Sequence, residues 1–127
     1  MPAGRVCIGI VDDEPLIASL LKDMLEGAGY TVSAVVHTYD AAMTLVEQPD
    51  SCEIVFVDLA LGGKPTGIDV ARRAVANGLA VVIMTGGASL PADLDGVGLL
   101  LKPFSVEQVR TLLHSLPKRD GKTSPAR

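Results

Sequence analysis

The sequence predicts an α/β fold in which five parallel strands, in the order 2-1-3-4-5, form a sheet between two layers of helices. Two observations support this prediction. Short apolar runs that suit buried strands alternate with segments of helical periodicity, and such alternation places parallel strands side by side through right-handed crossovers. In addition, the run 54–57 is apolar at every position, as expected for a strand that is covered on both faces of the sheet.

Length and composition narrow the protein class. With 127 residues, 48% of them hydrophobic, the chain is long enough for one domain and too short for two of ordinary size. The net charge of −4 argues against a general nucleic-acid surface, which would need clustered Lys and Arg. Cys7 and Cys52 form no Cys-x-x-Cys or Cys/His cluster, which favours reduced thiols and a cytoplasmic location. No apolar segment has the length of a membrane span or a secretory signal.

The first half of the chain supplies two strands and two helices. A strand over 6–11 is followed by Asp12-Asp13-Glu14, and Pro15 suits the first turn of a helix. Gly27 and Gly29 end that helix, in which apolar residues recur four positions apart in two adjacent rows, Leu16-Leu20-Met24 and Ile17-Leu21-Leu25. A second strand over 30–36 then precedes a shorter helix over 38–47, which Pro49 closes.

The second half continues the alternation. After the strand that ends at Asp58, a glycine-rich loop leads to a helix that begins near Thr66 and ends at Asn77-Gly78 in a left-handed cap. A strand over 79–85 follows, and residues 86–96 leave room for no more than about two helical turns, so the fourth helix is short or absent. The strand over 97–101 precedes a last helix, which a capping box of Ser105 and Gln108 opens and Pro117 ends. The complete pattern is that of a doubly wound, flavodoxin-like fold.

We expect one domain over residues 1–117. Residues 118–127 are polar, basic and poor in apolar side chains, so we expect a disordered tail with no output domain after it. The two histidines, His37 and His114, are expected to be surface or packing residues.

Polar residues stand where four of the predicted strands end, and these are Asp12, Asp13, Asp58, Thr85 and Lys102. Each alone would be interpreted as a turn residue or a helix cap. The carboxyl ends of parallel strands, however, lie at one edge of the sheet, about 4.8 Å apart from strand to strand. Open α/β sheets place their chemistry at that edge. We therefore predict that these five side chains form one site.

The residue types indicate the chemistry of this site. Three carboxylates so close together would repel one another unless a cation lay among them, and an all-oxygen ligand set favours Mg²⁺. Asp58 lies on the central strand and is the natural nucleophile toward phosphorus, which would give an acyl phosphate, while the pair Asp12-Asp13 is better suited to hold metal. Lys102 offers a positive charge and Thr85 a hydroxyl donor for a dianion.

An acidic pair after the first strand, Asp after the third, Thr after the fourth and Lys-Pro-Phe after the fifth resemble the CheY-like receiver domain of bacterial two-component response regulators. The resemblance covers residues 5–117. It implies that a sensor histidine kinase or a histidine phosphotransfer protein phosphorylates Asp58, with Mg²⁺ held by Asp12, Asp13, Asp58 and the backbone carbonyl of Ala60. It also implies that Lys102 and Thr85 contact the phosphoryl group. The bond before Pro103 is often cis in this family.

Two departures from the family pattern point to a subgroup. Leu99 stands where receivers usually carry Tyr or Phe, and the fourth helix is too short. With Thr85-Gly86, these features resemble the divergent subgroup named for its Phe-Ala-Thr-Gly motif. Because the aromatic side chain is missing, we expect the response to phosphorylation to be a rearrangement of the Gly86-Gly87 loop.

The predicted function is that of a stand-alone response regulator, not an enzyme, that signals by protein–protein interaction or acts as a phosphate sink. Its output partner is unknown, it is a monomer or weak homodimer, and neither nucleic acid nor membrane is a partner. Two alternative functions fit the sequence less well. An aspartate-nucleophile phosphatase typically needs a second Asp two residues after the nucleophile, where Ala60 stands. A pseudo-receiver that serves only for docking normally lacks the acceptor or the acidic pair, and both are present here.

Overall fold

The computed structural model describes residues 6–48, 50–63, 66–87, 90–94 and 96–115. Within these ranges it contains five β-strands, four α-helices and two short 3₁₀ turns, Leu61–Gly63 and Ala92–Leu94. In chain order the strands and α-helices are β1 Cys7–Val11, α1 Pro15–Gly27, β2 Thr31–Val36, α2 Tyr39–Glu47, β3 Ile54–Asp58, α3 Gly67–Ala76, β4 Ala80–Thr85, β5 Gly98–Leu101 and α4 Val106–Ser115.

The five strands form one parallel sheet in the order β2-β1-β3-β4-β5, which confirms the predicted fold. All residues of the central strand β3 are buried, because helices cover both faces. The register aligns the strand ends: Val11 pairs with Val57, and Thr85 pairs with Leu101. The residues that follow these pairs therefore emerge together at one edge, which we call the carboxyl edge.

The sheet separates two hydrophobic clusters. One cluster contains buried residues of α2 and α3, such as Leu45 and Val70, packed against one face of the sheet. The other contains buried residues of α1 and α4, such as Leu21 and Val109, packed against the opposite face. Because side chains alternate along each strand, neighbours such as Val55 and Phe56 belong to different clusters.

Helix α1 buries only one of its two apolar rows. Leu21 and Leu25 are fully buried, together with Ala18. Leu16 is 84% exposed and Leu20 47% exposed, so the other row lies at the surface near its start. A helix that packs on one sheet has a single buried face, and the sheet contacts decide which row occupies it.

Several local predictions are confirmed. Gly78 follows α3 with φ +85°, the left-handed conformation expected after Asn77. At the start of α4, the Ser105 amide donates to the Gln108 side chain at 2.8 Å and the Gln108 amide donates to Ser105 Oγ at 3.2 Å, which is a reciprocal capping box. The Lys102–Pro103 bond is cis.

The segment between β4 and β5 has only the 3₁₀ turn Ala92–Leu94 among its described residues, in agreement with a short fourth helix. Leu94 is buried in one of the two hydrophobic clusters, so this turn packs against the core. On the edge strand β5, Leu99 and Leu101 are 45% and 50% exposed. The predicted helix ends at Pro49 and Pro117 and the predicted tail at 118–127 lie outside the described residues.

None of the described helices combines the length and the apolar character needed to cross a bilayer.

Candidate functional site

Three carboxylates meet at the carboxyl edge, as the sequence predicts. Asp12, Asp13 and Asp58 each place an oxygen within 4.8 Å of the other two. Asp12 and Asp58 are 0% and 5% exposed, whereas Asp13 is exposed. Two of the three charges are therefore largely removed from water.

Backbone groups fix Asp12 in place. Its amide donates to the carbonyl of Val36 at 3.1 Å, which continues the pairing of β1 with β2. One carboxylate oxygen, Oδ1, accepts the Glu14 amide at 2.9 Å, in the local turn typical of Asp before a helix. His37 lies at the end of β2, and its Nδ1 donates to the Asp12 carbonyl at 2.9 Å. The other carboxylate oxygen, Oδ2, faces the site, where it accepts a hydrogen bond from Lys102 Nζ at 3.1 Å.

The loop after β3 orients Asp58. The Ala60 amide donates to Asp58 Oδ1 at 3.2 Å, and the Leu59 amide continues the ladder by donating to the Met84 carbonyl at 2.9 Å. The first residue of α3 packs directly behind this turn, because a Cβ added at Gly67 would lie only 2.1 Å from the Asp58 carbonyl oxygen. The predicted role of the Ala60 carbonyl as a metal ligand stays a prediction.

Asp13 connects two loops of the site. Its Oδ2 accepts the amide of Gly62 at 3.0 Å, so the turn after β1 is joined to the loop after β3. Thr85 is 5% exposed at the end of β4, and its hydroxyl oxygen accepts the Gly87 amide at 3.2 Å. The side chain of Thr85 is therefore joined to the glycine pair that the sequence singled out as a mobile loop.

Lys102 follows β5, and its side chain lies among the carboxylates of the site. Its Nζ lies 3.1 Å from Asp12 Oδ2, 3.6 Å from Asp58 Oδ2 and 3.5 Å from Glu14 Oε1. The first two contacts agree with the predicted proximity of these residues. The contact with Glu14 was not predicted, because in the sequence Glu14 has the features of an ordinary first-turn residue.

The surroundings shift the pKa of two site residues. Burial raises the pKa of Asp58 to about 6, an effect that the charge of Asp12 and a hydrogen bond with the Asp13 side chain reinforce and that the charge of Lys102 and the Ala60 amide oppose. For Lys102, burial alone would lower the pKa. The hydrogen bond and charge of Asp12, with the charges of Asp58 and Glu14, outweigh burial, so the pKa of Lys102 is raised. Lys102 thus stays a cation at neutral pH.

The donor set fits a hard divalent cation. The three clustered ligands are carboxylate oxygens, the type that Mg²⁺ prefers. Two of them are buried, and the raised pKa of Asp58 indicates that one positive charge from Lys102 does not fully compensate them. These residues could hold a metal ion.

Comparisons with known proteins show which family the chain is similar to. The model of the family described as "Response regulator receiver domain" matches residues 8–114, a range that contains all five predicted site side chains. The chain is 28% identical to the probable transcriptional regulatory protein TcrX of Mycobacterium tuberculosis, over 94% of this chain and 53% of the relative. It therefore spans about half the length of that protein.

Two solved structures illustrate the similarity in fold. SdrG from Sphingomonas melonis Fr1 is 32% identical with a TM-score of 0.75, and the match covers 88% of this chain and 96% of that one. The response regulator PhyR from Brucella abortus is 26% identical with a TM-score of 0.73, and the match covers 88% of this chain and 47% of PhyR.

Proposed function

The chain belongs to the response regulator receiver domain family of two-component systems, and we propose that it accepts a phosphoryl group on Asp58 from a sensor histidine kinase or a histidine phosphotransfer protein. The observation that carries this proposal is the buried Asp58 carboxylate, with the Lys102 ammonium 3.6 Å away and two further carboxylates beside it. A nucleophile for phosphorus and groups that neutralise phosphoryl charge thus lie at one point.

Each residue has a defined part in the proposed transfer. An Asp58 oxygen forms a bond to phosphorus while the bond from phosphorus to the donor breaks, and the donor leaves with that electron pair. The Lys102 ammonium and the Thr85 hydroxyl donate hydrogen bonds to the phosphoryl oxygens. Asp12, Asp13, Asp58 and the Ala60 carbonyl would hold Mg²⁺, which when bound supplies positive charge against those same oxygens.

The proposed output is protein–protein interaction or the removal of phosphoryl groups from a shared kinase, and catalytic turnover of other substrates is not part of it. We assign the protein to the cytoplasm, a location supported by the unpaired thiols of Cys7 and Cys52. We propose a monomer or a weak homodimer, with neither nucleic acid nor membrane as a partner.

We further propose that the chain belongs to the subgroup with the Phe-Ala-Thr-Gly motif, in which the glycine pair after β4 carries the response. Leu99 lies on β5 and is 45% exposed. Because this residue is a leucine, the position has no aromatic ring that could turn inward. Gly87 has φ +129°, which other residues rarely adopt. Amide chemical shifts with and without beryllofluoride test this proposal, and changes confined to the proposed metal ligands would contradict it.

The primary test is phosphorylation of the intact chain by acetyl phosphate in the presence of Mg²⁺, followed by mass spectrometry. We expect the wild-type protein to gain one phosphoryl group and Asp58→Asn to gain none. Asp69→Asn, which removes an exposed carboxylate from α3, is the matched control and should be modified like the wild type. A wild-type protein that gains no mass, or an Asp58→Asn variant that gains it equally, would refute the proposed function.

Purified histidine kinases then identify the pathway. A kinase that labels the wild-type protein faster than other kinases do is the proposed partner, and rapid loss of the label would favour the sink role over a lasting signal.

A further inference from the structure

The Lys102 ammonium has as many close acceptors as it has protons. We propose that Glu14 is a positioning residue that holds Lys102 in the unphosphorylated protein, and that Lys102 exchanges Glu14 for a phosphoryl oxygen when Asp58 is modified. This inference rests on the proposed function. Glu14 would be the fourth carboxylate of the site, and its role would differ from metal binding.

The contacts of Lys102 define the resting arrangement. Nζ lies 3.1 Å from Asp12, 3.5 Å from Glu14 and 3.6 Å from Asp58, and an ammonium group has three N–H donors. Three carboxylate oxygens therefore surround the ammonium, and the one on Asp12 accepts a hydrogen bond from it. A phosphoryl group on Asp58 brings several anionic oxygens to the same place, and these oxygens compete with the existing partners for the three donors.

Burial indicates which partner is released. The side chain of Asp12 is 0% exposed, so a loss of the ammonium would leave its buried charge without compensation, whereas Asp58 itself carries the phosphoryl group. The Glu14 side chain is 63% exposed and can turn to water. An exposed ion pair of this type contributes little free energy, which makes the exchange easy.

The backbone around Glu14 does not depend on its side chain. Glu14 is the N-cap residue of α1, but its side chain makes no capping hydrogen bond. The contact of this turn with Asp12 runs through the Glu14 amide, which any non-proline residue would supply. A substitution of the side chain therefore tests the contact with Lys102 without removing the cap.

The experiment measures the initial rate at which acetyl phosphate modifies Asp58 at saturating Mg²⁺. The Asp58 oxygen bonds to phosphorus, the bond between phosphorus and the acetyl oxygen breaks, and acetate leaves. We expect Glu14→Gln to raise this rate about two- to fivefold at low salt, since one competing exposed ion pair is removed. The ratio of variant to wild-type rate should fall toward one as the salt concentration rises, because exposed charges are screened.

Asp23→Asn is the matched control. It removes one negative charge from the same helix, nine residues and about 13 Å further along, and should leave the rate unchanged. Glu14→Asp, which keeps the carboxylate, should restore a rate near that of the wild type. The midpoint of thermal unfolding should be the same for all variants, whereas a structural role of Glu14 would shift it.

An unchanged rate in Glu14→Gln, an equal gain in Asp23→Asn, or a gain that does not respond to salt would each overturn the role of Glu14. In all three cases wild-type Asp58 is still phosphorylated, so the proposed function stands. If wild-type protein is not modified, or if Asp58→Asn is, the proposed function fails, and the inference about Glu14 fails with it.

Discussion

At the scale of single residues, Asp58 lies in surroundings that favour its protonated form. Burial raises the pKa of Asp58 from an ordinary value of 3.8 to about 6. The folded protein without metal therefore binds a proton at Asp58 more tightly than the unfolded chain does. Between these two pKa values the unfolded chain has lost the proton while the folded protein keeps it.

This difference predicts how stability changes with pH. The contribution of Asp58 to the free energy of unfolding is most favourable below pH 3.8 and is lost as the pH rises to about 6. The loss in metal-free protein should be about 3 kcal/mol, at 1.36 kcal/mol for each pKa unit. Urea unfolding at a series of pH values measures it.

Asp58→Asn is the control for this prediction, because it removes the titrating group and keeps the shape. The variant should gain stability relative to the wild type as the pH rises from 4 to 7. Parallel pH profiles for the two proteins would show that the pKa of Asp58 is not raised.

The residues of the proposed site could be predicted from the sequence more readily than the residues that hold them in place. Asp58 and Lys102 each stand at the end of an apolar run, which marks their position in a parallel sheet. The contacts of His37 with Asp12 and of Glu14 with Lys102 depend on how separate strands are aligned in three dimensions. Nothing in the local sequence of either residue indicates such a partner.

At the scale of secondary-structure elements, the start of α3 limits the position of Asp58. A Cβ at Gly67 would lie 2.1 Å from the Asp58 carbonyl oxygen and 2.8 Å from Leu59 Cα. Both are backbone atoms, which cannot move aside as the end of a flexible side chain can. The close approach of α3 to the loop after β3 therefore requires glycine.

Gly67→Ala should destabilise the protein by about 2–3 kcal/mol, because the helix or the Asp58 turn has to shift. The same shift should slow the phosphorylation of Asp58. Chemical denaturation measures the first effect and acetyl phosphate labelling the second.

Gly27→Ala is the comparison for this variant. Gly27 is also helical, at the end of α1, and nothing lies within 4 Å of a Cβ built there. This change should be neutral or stabilising by up to about 1 kcal/mol. Equal effects of the two substitutions would mean that the contact with Asp58 is unimportant.

The apolar periodicity of α1 does not determine which face of the helix is buried. Its apolar residues form two adjacent rows in the sequence, and both rows satisfy the helical pattern equally well. Only the packing against the sheet places Leu21 in the core and leaves Leu16 at the surface. The existence of the helix was predictable, but its buried face was not.

At the scale of the whole molecule, three carboxylates from two neighbouring strands lie close together, and their negative charges repel one another. Asp12 and Asp13 follow β1, and Asp58 ends β3. A cation bound among them would remove this repulsion in the folded protein only, because the unfolded chain does not bring the three carboxylates together.

Mg²⁺ should therefore stabilise the whole domain at neutral pH. A free concentration ten times the dissociation constant should add about 1.4 kcal/mol to the free energy of unfolding, visible as a rise in the thermal midpoint that a chelator reverses. Asp13→Asn is the suitable control, because Asp13 is exposed and an amide oxygen can still accept the Gly62 amide. A full response to Mg²⁺ in this variant would exclude Asp13 as a ligand.

In the parallel sheet, the proposed site and the turns that lead from helix to strand lie at opposite ends of the strands. The turn Asn77–Gly78 precedes β4, and Thr85 is the last residue of that strand. Because β4 has six residues, this turn and Thr85 are separated by about 20 Å. A fluorescent reporter inserted at such a turn would be far from the proposed phosphoryl acceptor, Asp58. The molecule thus offers attachment points for following the proposed signalling in cells without disturbing the proposed phosphorylation.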